Sequence, residues 1–209
     1  MPISRPKEKL ERRIGEKLFL KGERSFSQKS AIVKRPYPPG VHGKKKRRGR
    51  SEYGVQLKEK QKVRYIYGIN NGKLKKYYTE ALANKGKSTA DTIAELLERR
   101  LDNVVFRFGF TISRSVARHL VSHGHILVNG KRVRQPSLRV RIGDAIALKE
   151  SELSSPLYQD LNARLKKYIP PEWLELADNK HEGRVVRLPN IGDTMTQQNM
   201  PLVVEYYSK

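Results

Sequence analysis

Arg114 and Arg118 are the two side chains whose type and spacing most directly suggest a binding chemistry. They lie four residues apart, so on a helix both guanidinium groups share one face and can bracket a phosphate. Further cations follow at Lys131, Arg132, Arg134, Arg139 and Arg141. Arg139 and Arg141 alone would be interpreted as the solvated face of a sheet, but the whole set favours a surface for structured RNA.

Histidines near these arginines could bind either phosphate or a metal ion. His119 and His123 are one helical turn apart, but His125 follows an expected break at Gly124, and no carboxylate accompanies the rings. We therefore expect His119 and His123 to face phosphate, and we predict no metal site. Because no nucleophile is paired with a base and the chain contains no cysteine, the sequence also predicts no enzyme and no cofactor.

Two amphipathic helices are expected to carry these side chains. Apolar residues recur at steps of three and four from Ile93 to Phe108, which predicts one continuous helix that ends at Gly109. A second helix is expected to begin after Ser113, its N-cap, and to end at Gly124. The arginines at 114 and 118 belong to this second helix.

A β-hairpin is expected to follow these helices. Asn129-Gly130 is the dipeptide that a two-residue type I′ turn favours, and apolar residues flank it on both sides. A further strand is predicted from the alternation of Leu138, Val140 and Ile142 with arginines. Gly143-Asp144 should then turn the chain into a last strand at 145–148.

The N-terminal residues 1–50 are rich in Gly, Pro and cations, and we expect an extended basic segment that becomes ordered on RNA. Pro38 and Pro39 exclude a helix around them. The basic run that follows could be a solvated tail. In a chain this basic, however, we assign its cations to RNA contacts: Lys44, Lys45, Lys46, Arg47, Arg48 and Arg50.

Helical periodicity in residues 51–97 predicts a helical domain, whose first helix carries the candidate RNA contacts Lys58, Lys62 and Arg64. After residue 148, Ser155-Pro156 should begin another helix, and Trp173 should close a core. Residues 185–188 and 202–206 are short strand candidates.

The net charge of +23 over 209 residues is unevenly distributed. Residues 1–50 hold 17 Lys or Arg against 4 Asp or Glu, whereas residues 151–209 hold 7 against 8. A basic body with a nearly neutral C-terminal part favours a polyanionic partner. Membrane lipid is excluded because no apolar run approaches about 18 residues, and no secretory signal is visible. We therefore expect a cytoplasmic protein.

Three segments in the centre of the chain, RLDNVVFRFGF, SRSVARHLVSHGHILVNGKRV and PSLRVRIGD, resemble the αL-type RNA-binding module of the S-four family of small-subunit ribosomal proteins. The segments 36–43, 53–68 and 203–209 resemble the same family, so the resemblance covers nearly the whole chain and is loose only over 143–201. The module also occurs in some RNA pseudouridine synthases and aminoacyl-tRNA synthetases and in small heat-shock RNA binders, so by itself it implies RNA binding without fixing the function.

The flanking motifs favour a structural ribosomal protein over the alternative, an RNA-modifying or ribosome-recycling factor built on the same module. The resemblance implies primary binding to small-subunit ribosomal RNA at the junction of its 5′ domain, and nucleation of subunit assembly. It also implies a place beside small-subunit ribosomal proteins three and five, close to messenger RNA where it enters the subunit, and a contribution to translational accuracy. The nearly neutral C-terminal part suits contacts with protein.

Two details of the resemblance concern chemistry. Some relatives carry four cysteines that bind zinc, and the matching positions here are Glu8, Glu11, Ser25 and Ser30. Carboxylates and hydroxyls make a poor structural zinc site, which strengthens the prediction of no zinc. The pseudouridine synthases carry a catalytic RLD triplet, and here Arg100-Leu101-Asp102 matches it, but its place in an amphipathic helix predicts that Asp102 is a helix-surface carboxylate.

Taken together, these patterns predict an α+β fold. An extended basic N-terminal segment at 1–50 should precede a helical domain at 51–97, which the C-terminal segment 183–209 would join. Residues 98–182 should form the RNA-binding domain, with its core at 98–148 built from two helices packed on an antiparallel hairpin or sheet and a helical extension after it.

Overall fold

The computed structural model describes residues 6–45, 49–149, 161–177, 181–194 and 199–209. The chain divides into two compact units, the first made of Met1–Ile93 with Thr194–Lys209 and the second of Ala94–Asp193. Residues 183–193 thus belong to the second unit, and the C-terminal residues that join the helical unit begin at Thr194. In the described part of the chain, no helix combines the length and the apolar character that a membrane crossing requires.

The first unit is helical throughout its described part. Its helices are α1 (Lys7–Ile14), α2 (Ala31–Lys34), α3 (Glu52–Tyr67), α4 (Asn71–Ala83) and the C-terminal helix, numbered α9 below (Met200–Ser208). Short 3-10 turns lie at Gly22–Ser25 and Val41–Lys44. The hydroxyl of Ser51 caps α3 and the amide of Asn70 caps α4, so each helix begins at a residue that satisfies its first N–H groups.

In its described part the N-terminal segment is not extended, which corrects the expectation for residues 1–50. Leu10, Ile14 and Leu18 are at most 5% exposed, and α1 packs against α2 and α3. Leu10 and Ile14 lie four residues apart on one side of α1, and Leu18 follows the helix. Burial of these apolar side chains outweighs the local abundance of cations.

The C-terminal helix α9 corrects the strand predicted at 202–206. Asn199 caps it by accepting a hydrogen bond from the backbone N–H of Leu202, and Pro201 occupies its first turn. Met200 and Val203 are fully buried, and α9 packs against α3 and α4. Burial of one helical face therefore overrides the strand preference of the paired valines at 203–204.

The second unit combines helices with an antiparallel sheet, which confirms the predicted α+β class. Its helices are α5 (Thr89–Glu98, which begins in the first unit), α6 (Leu101–Arg107), α7 (Arg114–His123) and α8 (Leu161–Lys167). The strands are β1 (Ile126–Val128), β2 (Lys131–Val133), β3 (Ala145–Leu148), β4 (Leu174–Leu176) and β5 (Glu182–Val185). They form a five-stranded sheet in the order β2-β1-β3-β5-β4.

Local signals predicted much of this unit correctly. The Ser113 hydroxyl caps α7, and Gly124 ends it in the left-handed conformation. Asn129 and Gly130 both have positive φ, at 50° and 75°, as a type I′ turn requires. Trp173 is fully buried in the core. The expected helix start at Ser155-Pro156 lies outside the described residues, and the strand predicted at 185–188 occurs instead as β5, which ends at Val185.

The helix predicted from Ile93 to Phe108 is in fact two helices, α5 and α6. The break occurs because the chain at residues 138–140 pairs with the junction: the N–H of Leu101 donates to the carbonyl of Leu138 at 2.8 Å, and the N–H of Val140 donates to the carbonyl of Arg99 at 3.0 Å. These bonds replace intrahelical ones, while the apolar residues on either side of the junction remain buried.

The strand predicted at 138–142 is reduced to a single bridge between Arg100 and Arg139. Val140 is buried, but Ile142 is 58% exposed. The carboxylate of Asp144 accepts a hydrogen bond from the backbone N–H of Arg141 at 2.7 Å. The chain therefore turns after Arg141, and the alternation of inward and outward side chains ends there.

Candidate RNA-binding surface

The second unit contains a long stretch without negative side chains. Residues 103–143 include eight Lys or Arg and three His but no Asp or Glu. This stretch runs from α6 through α7 and the β1–β2 hairpin to the turn before β3. Any carboxylate that could neutralise these cations from within the module must therefore come from residues on either side of the stretch.

The carboxylates that precede this stretch are buried. Glu98 accepts hydrogen bonds from Nε and Nη2 of Arg107 at 2.8 and 2.7 Å, and neither side chain is exposed. Asp102 accepts hydrogen bonds from Nε and Nη2 of Arg100 at 3.0 and 2.6 Å, and its side chain is 4% exposed. Asp102 is therefore not the helix-surface carboxylate that was expected. It is a buried partner of arginine, because a charge can be buried here only with a compensating guanidinium.

Arg114 and Arg118 both lie on α7 and both contact α6. Nε of Arg114 donates to Oδ1 of Asn103 at 2.8 Å, and its guanidinium lies 4.6 Å from the centre of the Phe106 ring. Nη1 of Arg118 is 3.4 Å from Oδ2 of Asp102, and the Arg118 side chain is 33% exposed. Two consecutive residues of α6, Asp102 and Asn103, thus hold the two arginines.

The hairpin cations differ in how far they are engaged within the protein. Arg132 donates from Nε to the carbonyl of Gly124 at 2.9 Å and from Nη2 to the carbonyl of His123 at 2.8 Å, so it caps the C-terminus of α7. Lys131, Arg134 and Arg141 are exposed, and Arg139 is half-buried. Sequence spacing did not predict the capping role of Arg132, because its partners are backbone carbonyls in another element.

The histidines form a row along the end of α7. The ring centres of His119 and His123 are 6.5 Å apart, and those of His123 and His125 are 6.0 Å apart. His119 and His123 are exposed, so their role as phosphate contacts stays a prediction. Among the described residues, no group of three or more His, Cys, Asp or Glu side chains has a geometry that could hold a metal ion.

The candidate contacts on α3 are largely engaged within the first unit. Lys58 and Lys62 both form ion pairs with Glu16, and Lys62, whose side chain is 10% exposed, also lies 3.7 Å from Glu59. Burial alone would raise the pKa of Glu16, but hydrogen bonds from the two lysines outweigh it and lower the pKa below its ordinary value. Buried Lys62 is therefore poorly placed for a phosphate. Arg64 is half-buried and donates to the side chain of Gln61 at 2.5 Å.

The basic run after residue 43 is described only in part. Lys44, Lys45 and Arg50 are exposed, and the ammonium of Lys44 lies 5.6 Å from the centre of the Tyr37 ring. The candidate contacts Lys46, Arg47 and Arg48 lie outside the described residues. The exposed cations of this run thus stay RNA-contact candidates on the strength of the sequence.

Three of the four positions matched to zinc-binding cysteines support the loop after α1 by side-chain hydrogen bonds or ion pairs. The carboxylate of Glu11 accepts the N–H of Leu20 at 3.1 Å, and the hydroxyl of Ser25 accepts the N–H of Lys21 at 3.3 Å. Burial raises the pKa of Glu11. Glu8 pairs with Lys21 and Arg24, and Ser30 is buried. Buried Glu11 and Ser25 therefore supply acceptors for backbone groups that would otherwise be unsatisfied.

Asn103 and Phe106 were missed by sequence reasoning, although both contact the candidate residue Arg114. Asn103 is 1% exposed, so it is a polar side chain in the core-facing side of α6. A polar residue inside an apolar helical pattern was the one available signal, and it does not identify which partner the amide will find.

The sequence matches two family models and several named proteins. Residues 3–98 match the family model described as "Ribosomal protein S4/S9 N-terminal domain", and residues 99–146 match the "S4 domain". A protein of Syntrophomonas wolfei is 46% identical over 198 residues, and one of Natranaerobius thermophilus is 48% identical over 198 residues. A protein of Thermus thermophilus is 49% identical over 199 residues. In each case the match covers 95% of this chain and 94% of the relative, and each relative is named "Small ribosomal subunit protein uS4".

Proposed function

Because the chain belongs to the uS4 family of small ribosomal subunit proteins, we propose that it is a structural component of the small subunit that binds ribosomal RNA through its second unit. The family is structural and not enzymatic, in agreement with the sequence prediction. The protein would act with ribosomes in the cytoplasm.

The observation that carries the proposal is the separation of charge in the second unit. Glu98 and Asp102 are buried against arginines. In contrast, all charged residues of the 103–143 stretch are cations, and several of them are exposed. A surface of one sign attracts a polyanion, and A-form RNA presents phosphates and hydroxyls more readily than base edges. The second unit would therefore recognise a folded RNA by its shape and its backbone.

The finer assignments rest on the family resemblance. The RNA site would be the junction of the 5′ domain of small-subunit ribosomal RNA, and binding there would nucleate assembly of the subunit body. Small-subunit ribosomal proteins three and five and the incoming messenger RNA would be neighbours, with an influence on translational accuracy. The low net charge of residues 151–209 supports a protein-facing role for this part, because basic neighbours would repel a more cationic surface.

The test is reconstitution with small-subunit ribosomal RNA and the other small-subunit proteins, followed by sedimentation. We expect the protein to sediment with the particle at one copy per subunit, and omission of the protein to stall assembly of the body. A test variant with Lys131 and Arg134 both replaced by Gln should incorporate less efficiently at equal protein concentration. Substoichiometric, dissociable binding to finished subunits would contradict a structural role.

A further inference from the structure

We propose that Asn103 is a positioning residue for RNA binding, which holds the guanidinium of Arg114 ready for an RNA phosphate and is itself held by the buried carboxylate of Glu98. This inference rests on the proposed function and deepens it, because it assigns a role in recognition to a side chain that is 1% exposed. The residues involved come from three helices, α5, α6 and α7.

The orientation of the Asn103 amide is determined by its partners. Its Nδ2 donates to Oε2 of Glu98 at 2.8 Å and to the backbone carbonyl of Glu98 at 2.9 Å. A carboxylate and a carbonyl can only accept, so the NH₂ group must face Glu98. The amide oxygen then faces Arg114, whose Nε can only donate, and the distance between them is 2.8 Å.

Glu98 is a rigid support for this arrangement. Its carboxylate accepts two hydrogen bonds from Arg107, and both side chains are fully buried. A buried bidentate pair has little freedom to rearrange, because separating it would leave a charge without compensation in the core. The amide that bonds to this carboxylate is therefore fixed as well.

Arg114 is restrained in two directions. Asn103 holds Nε, and the Phe106 ring lies 4.6 Å from the guanidinium carbon. A flexible arginine loses rotamer freedom when it binds a phosphate, whereas one that is already oriented loses less. Nε is engaged by Asn103 and Nη2 is buried, so a phosphate would meet the Nη1 side of the guanidinium. Fixing the guanidinium plane then fixes the direction of that contact.

Asn103 is the member of this network that can be tested without a change of charge. Asp102 is related to Arg118 in a similar way, but replacing Asp102 would also remove the buried partner of Arg100. Replacing Asn103 with Ala or Ser removes its contacts to Arg114 and to Glu98 without changing a charge. The two hydrogen bonds between Arg107 and Glu98 do not involve the amide. The loss can then be attributed to position and not to electrostatics.

The experiment is a double-mutant cycle on the full chain, with affinity for a 5′-domain fragment of small-subunit ribosomal RNA and the free energy of unfolding measured for each variant. Asn103→Ala should weaken binding roughly three- to tenfold, the equivalent of one newly mobile side chain. Arg114→Ala should weaken binding at least as much. Combining the two should cause no loss beyond that of Arg114→Ala, because the amide would have nothing left to position.

Two further readouts separate positioning from a general loss of structure. The slope of log affinity against log salt concentration should be unchanged in Asn103→Ala. In Arg114→Ala the slope should become shallower by about 0.7–0.9, because only this substitution removes a phosphate contact. Val105→Ala, a core substitution in the same helix, serves as a control for stability. It should lower the free energy of unfolding without weakening RNA binding at a temperature where the variant stays folded.

Several outcomes would overturn the inference. These are wild-type affinity in Asn103→Ala, a full additional loss when it is combined with Arg114→Ala, or an equal loss of affinity in Val105→Ala. Asn103→Ser provides a milder variant if the alanine variant does not fold, and failure of both to fold would mean that the residue is structural. A wild-type chain that does not bind the RNA would instead overturn the proposed function itself.

Discussion

In the second unit, the charged side chains named above differ in their exposure to solvent. The carboxylates of Glu98 and Asp102 are buried with guanidinium partners, while Arg118 is one-third exposed and Lys131 is exposed. A buried carboxylate can compensate a neighbouring arginine without presenting negative charge to a partner. The pairing with buried Asp102 thus orients the Arg118 guanidinium while the surface stays positively charged.

Arg118 offers a prediction at this scale. Arg118→Gln should weaken binding to small-subunit ribosomal RNA by about 1–3 kcal/mol, because it removes one phosphate contact. Its free energy of unfolding should change by less than about 1 kcal/mol, since a partly exposed ion pair contributes little. Binding and urea unfolding measured on the same preparation would check both expectations.

The matched control is Lys75→Gln, which removes an exposed cation of α4 in the first unit. It should leave RNA affinity nearly unchanged. Arg118→Glu should behave differently from Arg118→Gln and lower stability as well, because it would set a carboxylate beside Asp102. Equal RNA affinity for Arg118→Gln and Lys75→Gln would mean that Arg118 is not an RNA contact.

Among the elements, α7 is held at both ends by side-chain and backbone caps. Ser113 accepts from the N–H of Val116 at its start, and Gly124 adopts φ of 78° at its end. Arg132 on β2 donates to the carbonyls of His123, the last residue of α7, and of the cap residue Gly124. A cation at this position also interacts favourably with the helix dipole. The element that carries Arg114 and Arg118 therefore has a fixed length and a fixed attachment to the hairpin.

We expect Arg132→Gln to lower the free energy of unfolding by about 1 kcal/mol, because two charge-assisted hydrogen bonds to carbonyls in a largely exposed position are lost. The neighbouring Lys131→Gln is the control, since Lys131 is exposed on the same strand. Chemical denaturation of both variants without RNA measures the difference. Identical free energies of unfolding would show that the Arg132 cap does not stabilise the fold and that Arg132 serves only RNA binding.

The contact between Glu16 and α3 predicts a dependence on pH. Because hydrogen bonds from Lys58 and Lys62 lower the pKa of Glu16 below its ordinary value of 4.5, the folded state favours the charged carboxylate. Its stabilising contribution is complete above pH 4.5 and is lost as pH falls through the lower, folded-state pKa. Wild type should thus be more stable than Glu16→Gln near neutral pH, and the difference should shrink below this value.

Urea unfolding between neutral and acidic pH would measure this difference. Glu23→Gln, which replaces an exposed carboxylate in the turn after α1, is the control and should run parallel to wild type. A difference between wild type and Glu16→Gln that stays constant across the acidic range would mean that the two lysines do not favour the charged form of Glu16.

At the scale of the whole molecule, a net charge of +23 should make RNA binding strongly dependent on salt. Each phosphate that the protein neutralises releases counterions, so the logarithm of affinity should fall by about 0.7–0.9 for each unit of log salt and each contact. Titrations of the 5′-domain RNA at several potassium chloride concentrations would measure the slope. Affinity that is nearly unchanged over a tenfold rise in salt would contradict a phosphate-dominated interface.

The sequence by itself determined the features that depend on neighbours along the chain. The caps at Ser113 and Gly124 and the type I′ turn at Asn129-Gly130 follow from local backbone chemistry, and all three occur as predicted. The family was identified from motifs, and the α+β class from motifs and periodicity together. The distribution of Lys and Arg likewise indicated a polyanionic partner before any fold was known.

Only the tertiary structure decided which charges are available at the surface. Asp102 is buried, Arg132 caps a helix, Lys62 pairs with Glu16, and Asn103 contacts Arg114. The partners in these contacts lie up to 46 residues apart in the sequence. The same applies to the break between α5 and α6 and to the helical form of α9, which arise from hydrogen bonding and burial against distant segments. Local periodicity carries no information on such partners, because burial and pairing depend on which segments the fold brings together.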